Sequence, residues 1–303
     1  MGQGNYTEAD VLECSRAFTG WSIAYPISRL PYGRYPWFFE YKSEDHDDGE
    51  KSFLGETGRF NGEDIVQIIA RQPGTARFIA RHMYDFFVAD EVPVPQWPYT
   101  DAVDPEAIEV LVESYMASDH DIRSMLRTLF NSDFFKEARF ARVKGPAELV
   151  AGIVRLSGGV SRPNMEVIEA ADVAGFMGQT ILSPPTVEGW HEGTEWINSG
   201  SLIERVNFAA KLMSDVDKPG VRAIMDRLAA QDGGEFAPDQ LVDQCLDLMG
   251  PIASNESSRS ALVEHVARQG DLSLRDHQHG DESEKRVADL LGLIASTREY
   301  QLG

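Results

Sequence analysis

Apolar residues recur at helical spacing along most of this chain, and stop signals separate the runs. Thr7 opens the first helix with Asp10 three residues on, the spacing of a capping box, and Val11, Cys14 and Phe18 follow on one face. Ile65, Ile68 and Ile69 mark a second helix that ends at Gln72-Pro73. Phe78, Ile79, Met83, Phe86 and Phe87 mark a third. The segment from Val92 to Pro105 holds four prolines and reads as an ordered connector. Asp104-Pro105 then starts a helix with proline at its first position, and Asp119 or Asp121 caps the next. Ser132 opens a short helix through Phe135. Further helices are predicted over 146–156, 167–177, 201–213, 219–231, 238–249, 256–268 and 283–295.

One stretch breaks this rhythm. Pro26, Pro31, Gly33 and Pro36 forbid long helices, and Trp37 to Tyr41 reads as a strand. The polar run Ser43 to Glu50 turns, and Lys51 to Leu54 is expected to return as the second strand. The fold predicted is therefore mainly α: an irregular multi-helix domain over 1–303 with a small β-hairpin near residues 37–55. Residues 219–303 are a candidate C-terminal helical subdomain. No fixed-period repeat is present.

Composition narrows the class. Of 303 residues 42% are hydrophobic, enough for a substantial core. The 49 acidic against 28 basic residues give a formal charge of -21, which argues against nucleic acid and against anionic lipid as partners. No apolar run is long enough to span a bilayer, and no signal peptide is visible near Met1. Cys14 and Cys245 lie too far apart in sequence to suggest a disulfide framework or zinc knuckle and are expected to be buried free thiols; Met165, Met177 and Met213 are expected as core filler.

Two segments carry candidate chemistry. The first is the acidic loop Glu44 to Glu50. His46, Asp47 and Asp48 could hold a divalent cation through oxygen and imidazole ligands, with His46 and Asp47 as catalytic candidates. Its spacing is not that of an EF-hand. The plain alternative is a hairpin tip in which Asp47 or Asp48 makes an Asx-type turn and His46 bonds to backbone. The second is Pro184 to Trp196, where two prolines, two glycines and Trp190 and Trp196 shape a packed loop. His191 beside Glu192 could act as a general base, and the two indoles could stack on a sugar ring. The alternative is a loop stapled to the helices by its tryptophans. Arg77 and Arg81 share a helix face beside His82 and could bind an anion, or pair with the chain's many acids. His277 and His279 sit in a polar stretch and are expected to be solvated. Gly-x-Ser-x-Gly, His-Glu-x-x-His, Cys-x-x-Cys and a Gly-rich phosphate loop are all absent, and no cofactor is identified.

Several phrases occur together in one order. They begin with Asn5 to Val11, Ala17 to Trp21, His46-Asp47 with Lys51 and Leu54-Gly55, Pro73 to Ala80 and Phe86 to Val88. They continue with Lys144 to Glu148, Met177-Gly178-Gln179, Pro184 to Trp190 and Leu291 to Gln301. As a set the chain resembles the bacterial domain-of-unknown-function 1800 family from residue 3 to residue 301. The resemblance implies an exported or periplasmic, envelope-associated accessory protein that binds a partner or polymer. It also implies a sulfatase-like exported protein encoded nearby as a partner. Family members usually carry a further helical portion ahead of the Asn-Tyr-Thr-Glu phrase, so the expectation is that this chain is the C-terminal portion of a longer domain, and an exposed apolar patch would then mark the face built to meet the missing N-terminal part rather than a partner site. A metal-assisted hydrolase using the His46 loop, and a carbohydrate-binding surface around Trp190 and Trp196, are the two alternatives.

Overall fold

The computed structural model describes residues 2, 4–24, 38–158, 160, 162, 164–187, 189–250, 252, 254–275 and 281–303. Trp37, the prolines from Pro26 to Pro36, Glu188, His277 and His279 lie outside them. The protein is mainly helical, with small two-stranded antiparallel sheets. It divides into two compact units, Met1–Glu137 and Ala138–Gly303.

In the first unit, α1 (Glu8–Ala17) begins with the expected capping box: Asp10 N–H donates to Thr7 Oγ1, and Thr7 N–H donates to Asp10 Oδ2 at 2.8 Å. Such a cap contributes about 1 kcal/mol. Asp10 also accepts the Leu54 N–H at 2.8 Å, so the helix start fixes a strand turn 44 residues away.

Strand pairing differs from the sequence expectation. The hairpin strand β2 (Phe38–Tyr41) does not pair with Lys51–Leu54; it pairs with β1 (Trp21–Ala24), Trp21 opposite Tyr41 and Ile23 opposite Phe39. β3 (Lys51–Phe53) pairs instead with β4 (Glu56–Gly58) across a turn in which Leu54 and Gly55 both have positive φ. That turn is the two-residue hairpin connection, hidden in the sequence because leucine rarely takes its first position. The β1–β2 ladder is extended by Lys42 N–H donating to Gly20 O at 2.8 Å. Gly20, at φ +81°, permits this approach: a Cβ there would lie 2.6 Å from Lys42 O.

The unit continues with α2 (Gly62–Ala70), α3 (Pro73–Phe87), α4 (Pro105–Ala117), α5 (Ile122–Asn131) and α6 (Asp133–Glu137). Ala17, Phe53, Ile65 and Ile68 pack as one cluster that joins α1, β3 and α2. Cys14 lies only half-buried at its edge, contrary to expectation, beside an apolar cleft lined by Tyr6, Val11, Phe53 and Ile69.

The second unit holds α7 (Pro146–Ser157), α8 (Met165–Phe176), α9 (Ser199–Met213), α10 (Pro219–Ala229), α11 (Pro238–Met249), α12 (Glu256–Ala267) and α13 (Glu282–Ala295). A two-residue ladder, β5 (Glu235–Phe236) with β6 (Leu272–Ser273), was not foreseen; two residues are too few to show a period. The core runs from Leu149 and Ile153 of α7 through Ala209 and Met213 of α9 to Leu291 and Ile294 of α13, so residues 219–303 share one interior with α7 and α9. Cys245 is fully buried there, and burial pushes its thiol up to about 12. Met177 and Met213 fill this core, but Met165 does not: it is 67% exposed on α8.

Candidate functional site

The acidic loop is organised from within. His46 Nδ1 lies 2.9 Å from the Thr19 carbonyl oxygen, which can only accept, so this nitrogen carries the proton. Its ring packs beside Tyr41. Asp47 accepts from Arg16 Nε at 2.8 Å and from Gly49 N–H at 2.8 Å, the latter an Asx turn. The Arg16 guanidinium holds the Asp47 carboxyl down to about 2. Lys51, unforeseen as a functional residue, is fully buried; its ammonium donates to the carbonyls of Asp47 and Gly49, so the loop wraps around it. Asp48 is exposed. Among the described residues no three His, Cys, Asp or Glu side chains are grouped to hold a metal ion. The loop therefore has the geometry of a turn built on a lysine, an arginine and backbone.

The arginines of α3 have different surroundings. Arg77 makes an exposed ion pair with Glu109 at 2.6 Å. Arg81 is buried, and all its N–H groups are used. Nε and Nη2 donate to Glu91 Oε2 at 3.1 and 2.8 Å, and the remaining hydrogens go to the carbonyls of Trp97, Thr100 and Asp101. The guanidinium carbon stands 4.8 Å from the Trp97 ring centroid. Glu91 is wholly buried and also accepts Val103 N–H. This pair fixes the proline-rich connector onto α3. His82 lies against Phe78 and Trp97, and burial lowers its basicity.

In the second unit the double-tryptophan loop is anchored at both indoles. Trp190 is half-buried, and its Nε1–H donates to Thr180 O at 3.2 Å. Trp196 is 6% exposed and packs over Gly178. His191 faces Glu195 at 3.6 Å in an exposed pair, an arrangement that contributes little.

Trp196 belongs to a cluster the sequence did not announce as a site. Gln179 Oε1 accepts Ala147 N–H at 2.8 Å in the first turn of α7. Lys144 precedes that helix; its ammonium donates to Tyr300 O at 2.8 Å and lies 4.5 Å from the Tyr300 ring centroid. Arg205, on α9, is fully buried. Its Nε donates to Gln301 Oε1 at 2.8 Å and its Nη2 to Lys144 O at 2.6 Å. Burial lowers the basicity of both cations, with Glu148 acting in the opposite sense. Three phrases that carried the resemblance, Lys144 to Glu148, Met177 to Gln179 and the closing Leu291 to Gln301, thus meet at one end of α7. Arg205 lies in none of the quoted phrases, so only its position in an apolar helix face hinted at a buried cation.

A family model described as protein of unknown function (DUF1800) matches residues 1–302. No curated protein and no solved structure matches the chain. With the match covering essentially every residue, the chain belongs to the DUF1800 family.

Proposed function

We propose that the protein works by binding rather than by catalysis, as an exported, envelope-associated accessory protein. The supporting observation is α8 with the loop after it. This helix buries only Ala174. Met165, Ile168 and Phe176 share one face, with Asp172 between them, and Ile181, Leu182 and Val187 follow, all exposed. Leaving a large apolar side chain in water forgoes about 1.5–3 kcal/mol each, so such a stretch marks an interaction surface. Catalysis has less support, because His46, Asp47 and Arg81 are bonded internally. A sugar platform on Trp190 and Trp196 has less support too, since Trp196 is buried.

The partner this reading names is the sulfatase-like exported protein encoded nearby. Mixing the two purified full chains and measuring mass by light scattering after gel filtration should give a complex. A Phe176→Glu/Leu182→Glu variant with unchanged circular dichroism should not form it. Failure of the unaltered protein to form the complex, or recovery of the native protein in the cytoplasmic fraction alone, would overturn the reading.

A further inference from the structure

In the second unit of this strongly acidic chain Arg205 is fully buried and Lys144 half-buried, and neither has an ion-pair partner among the described residues. Buried charges are normally paired, because desolvation of an isolated one costs several kcal/mol. The nearest carboxylate influence is Glu148, which is exposed and lies beyond ion-pairing distance of both.

The hydrogen-bond count sharpens this. Arg205 Nη1 is buried and has no hydrogen-bond partner among the described residues. It belongs to the guanidinium whose Nη2 holds the Lys144 carbonyl, at the entrance to α7. On the same peptide, Trp196 Nε1 lies 4.0 Å from where a Gly145 Cβ would stand, and this N–H donates to no described residue. Gly145 caps α7 without a side-chain bond, so the positive end of a twelve-residue helix opens at this point. Gln179 takes the Ala147 N–H, leaving the Glu148 N–H without a side-chain acceptor. Donors of three kinds, a guanidinium, an indole and a helix N-terminus, thus adjoin the Lys144–Gly145 peptide, and the Lys144 ammonium, held at Tyr300 O, is near enough to Arg205 for the two charges to repel.

We propose that this end of α7 is a binding site for a small oxyanion, held by Arg205, Trp196, Lys144 and the first turn of α7. The chemistry shared by phosphate, sulfate and a ligand carboxylate satisfies it: oxygen acceptors with negative charge, matched to a planar guanidinium. Gly145 and Gly178 themselves put no side chain against the indole. The site is independent of the α8 surface, and its failure would leave that reading untouched.

The test is the melting temperature of the full chain against sodium phosphate, sodium sulfate and sodium acetate, each compared with sodium chloride at equal ionic strength. The proposal expects a saturable rise with at least one of the three, and the three arms separate tetrahedral oxyanions from carboxylates. Trp196→Phe removes the indole N–H together with the second ring, so it is compared at unchanged circular dichroism. It should weaken the apparent Kd about tenfold, the loss of one hydrogen bond to a charged group. Lys144→Gln should weaken it as well. These two variants keep the test open if Arg205→Gln does not fold. No saturable effect over chloride, or unaltered affinity in both Trp196→Phe and Lys144→Gln, would overturn the site and leave a water molecule or an adventitious ion only.

Discussion

Removing the charge of Glu91 should be among the most damaging conservative substitutions in the first unit. Glu91→Gln changes one atom type and no volume. It leaves Arg81 at 8% side-chain exposure without its counter-charge, beside a side chain that was 0% exposed. Breaking a buried pair from one side costs about 3–5 kcal/mol, chiefly as an uncompensated buried charge. The three backbone carbonyls and the Trp97 ring that also hold Arg81 soften the loss, which places the expected value near the lower end, about 3 kcal/mol. A unit of this length has an unfolding entropy of about 0.29 kcal/mol/K, so the melting temperature should fall by about 10 °C. The matched control is Glu109→Gln, which breaks the Arg77 pair, where both side chains are more than half exposed. That change should cost at most about 1 kcal/mol. Differential scanning calorimetry and urea unfolding of the full chain supply both numbers. If Glu91→Gln lies within about 1 kcal/mol of the unaltered protein, or no further from it than Glu109→Gln, burial is not what makes this pair matter and the reasoning fails.

Two further outcomes are expected. In the second unit, a Cβ at Gly220 would overlap the Leu156 carbonyl oxygen and come within 2.6 Å of the Ser157 carbonyl carbon, so Gly220→Ala should destabilise by about 2 kcal/mol or more in urea unfolding, where an ordinary helix position would gain from alanine. The Asp47 carboxyl, held by Arg16 at about 2 against an ordinary 3.8, contributes stability that is fully present above the ordinary value and is lost as pH falls from about 4 through about 2. Carboxyl NMR titration should therefore show a low Asp47 midpoint that returns toward the ordinary value in Arg16→Gln; an Asp47 midpoint already ordinary in the unaltered protein would show that the pair does not form in solution.

The helices were legible because their signals are local. Pro238 to Met249 was read to the residue, and the Thr7 start is closed by Asp10 three positions on; the helix expected over 201–213 begins two residues earlier, at Ser199, behind an Asn198 cap that had not been foreseen. The β pairing was not legible. The strand Phe38–Tyr41 was visible as part of an aromatic run, but its partner could lie on either side, and only the Gly20 approach and the Leu54-Gly55 turn decide which. The candidate chemistry was legible only as residue types. His46 and Asp47 read the same whether they face a ligand or bond to Thr19 and Arg16.

By itself the sequence determined the helical class, the order of the helices, the acidic character and membership in the DUF1800 family. These depend on spacing of three or four residues, on composition, or on phrases that stand next to one another in the chain. The tertiary structure alone decided which charges are satisfied. Arg81 meets Glu91 at the start of the connector, Lys51 is enclosed by the loop before it, and Arg205 reaches Gln301 across 96 positions while one of its nitrogens meets no acceptor among the described residues. Desolvation and hydrogen bonding act through space, over a few ångströms, so their sign at a given residue is fixed only once the chain has brought distant segments together.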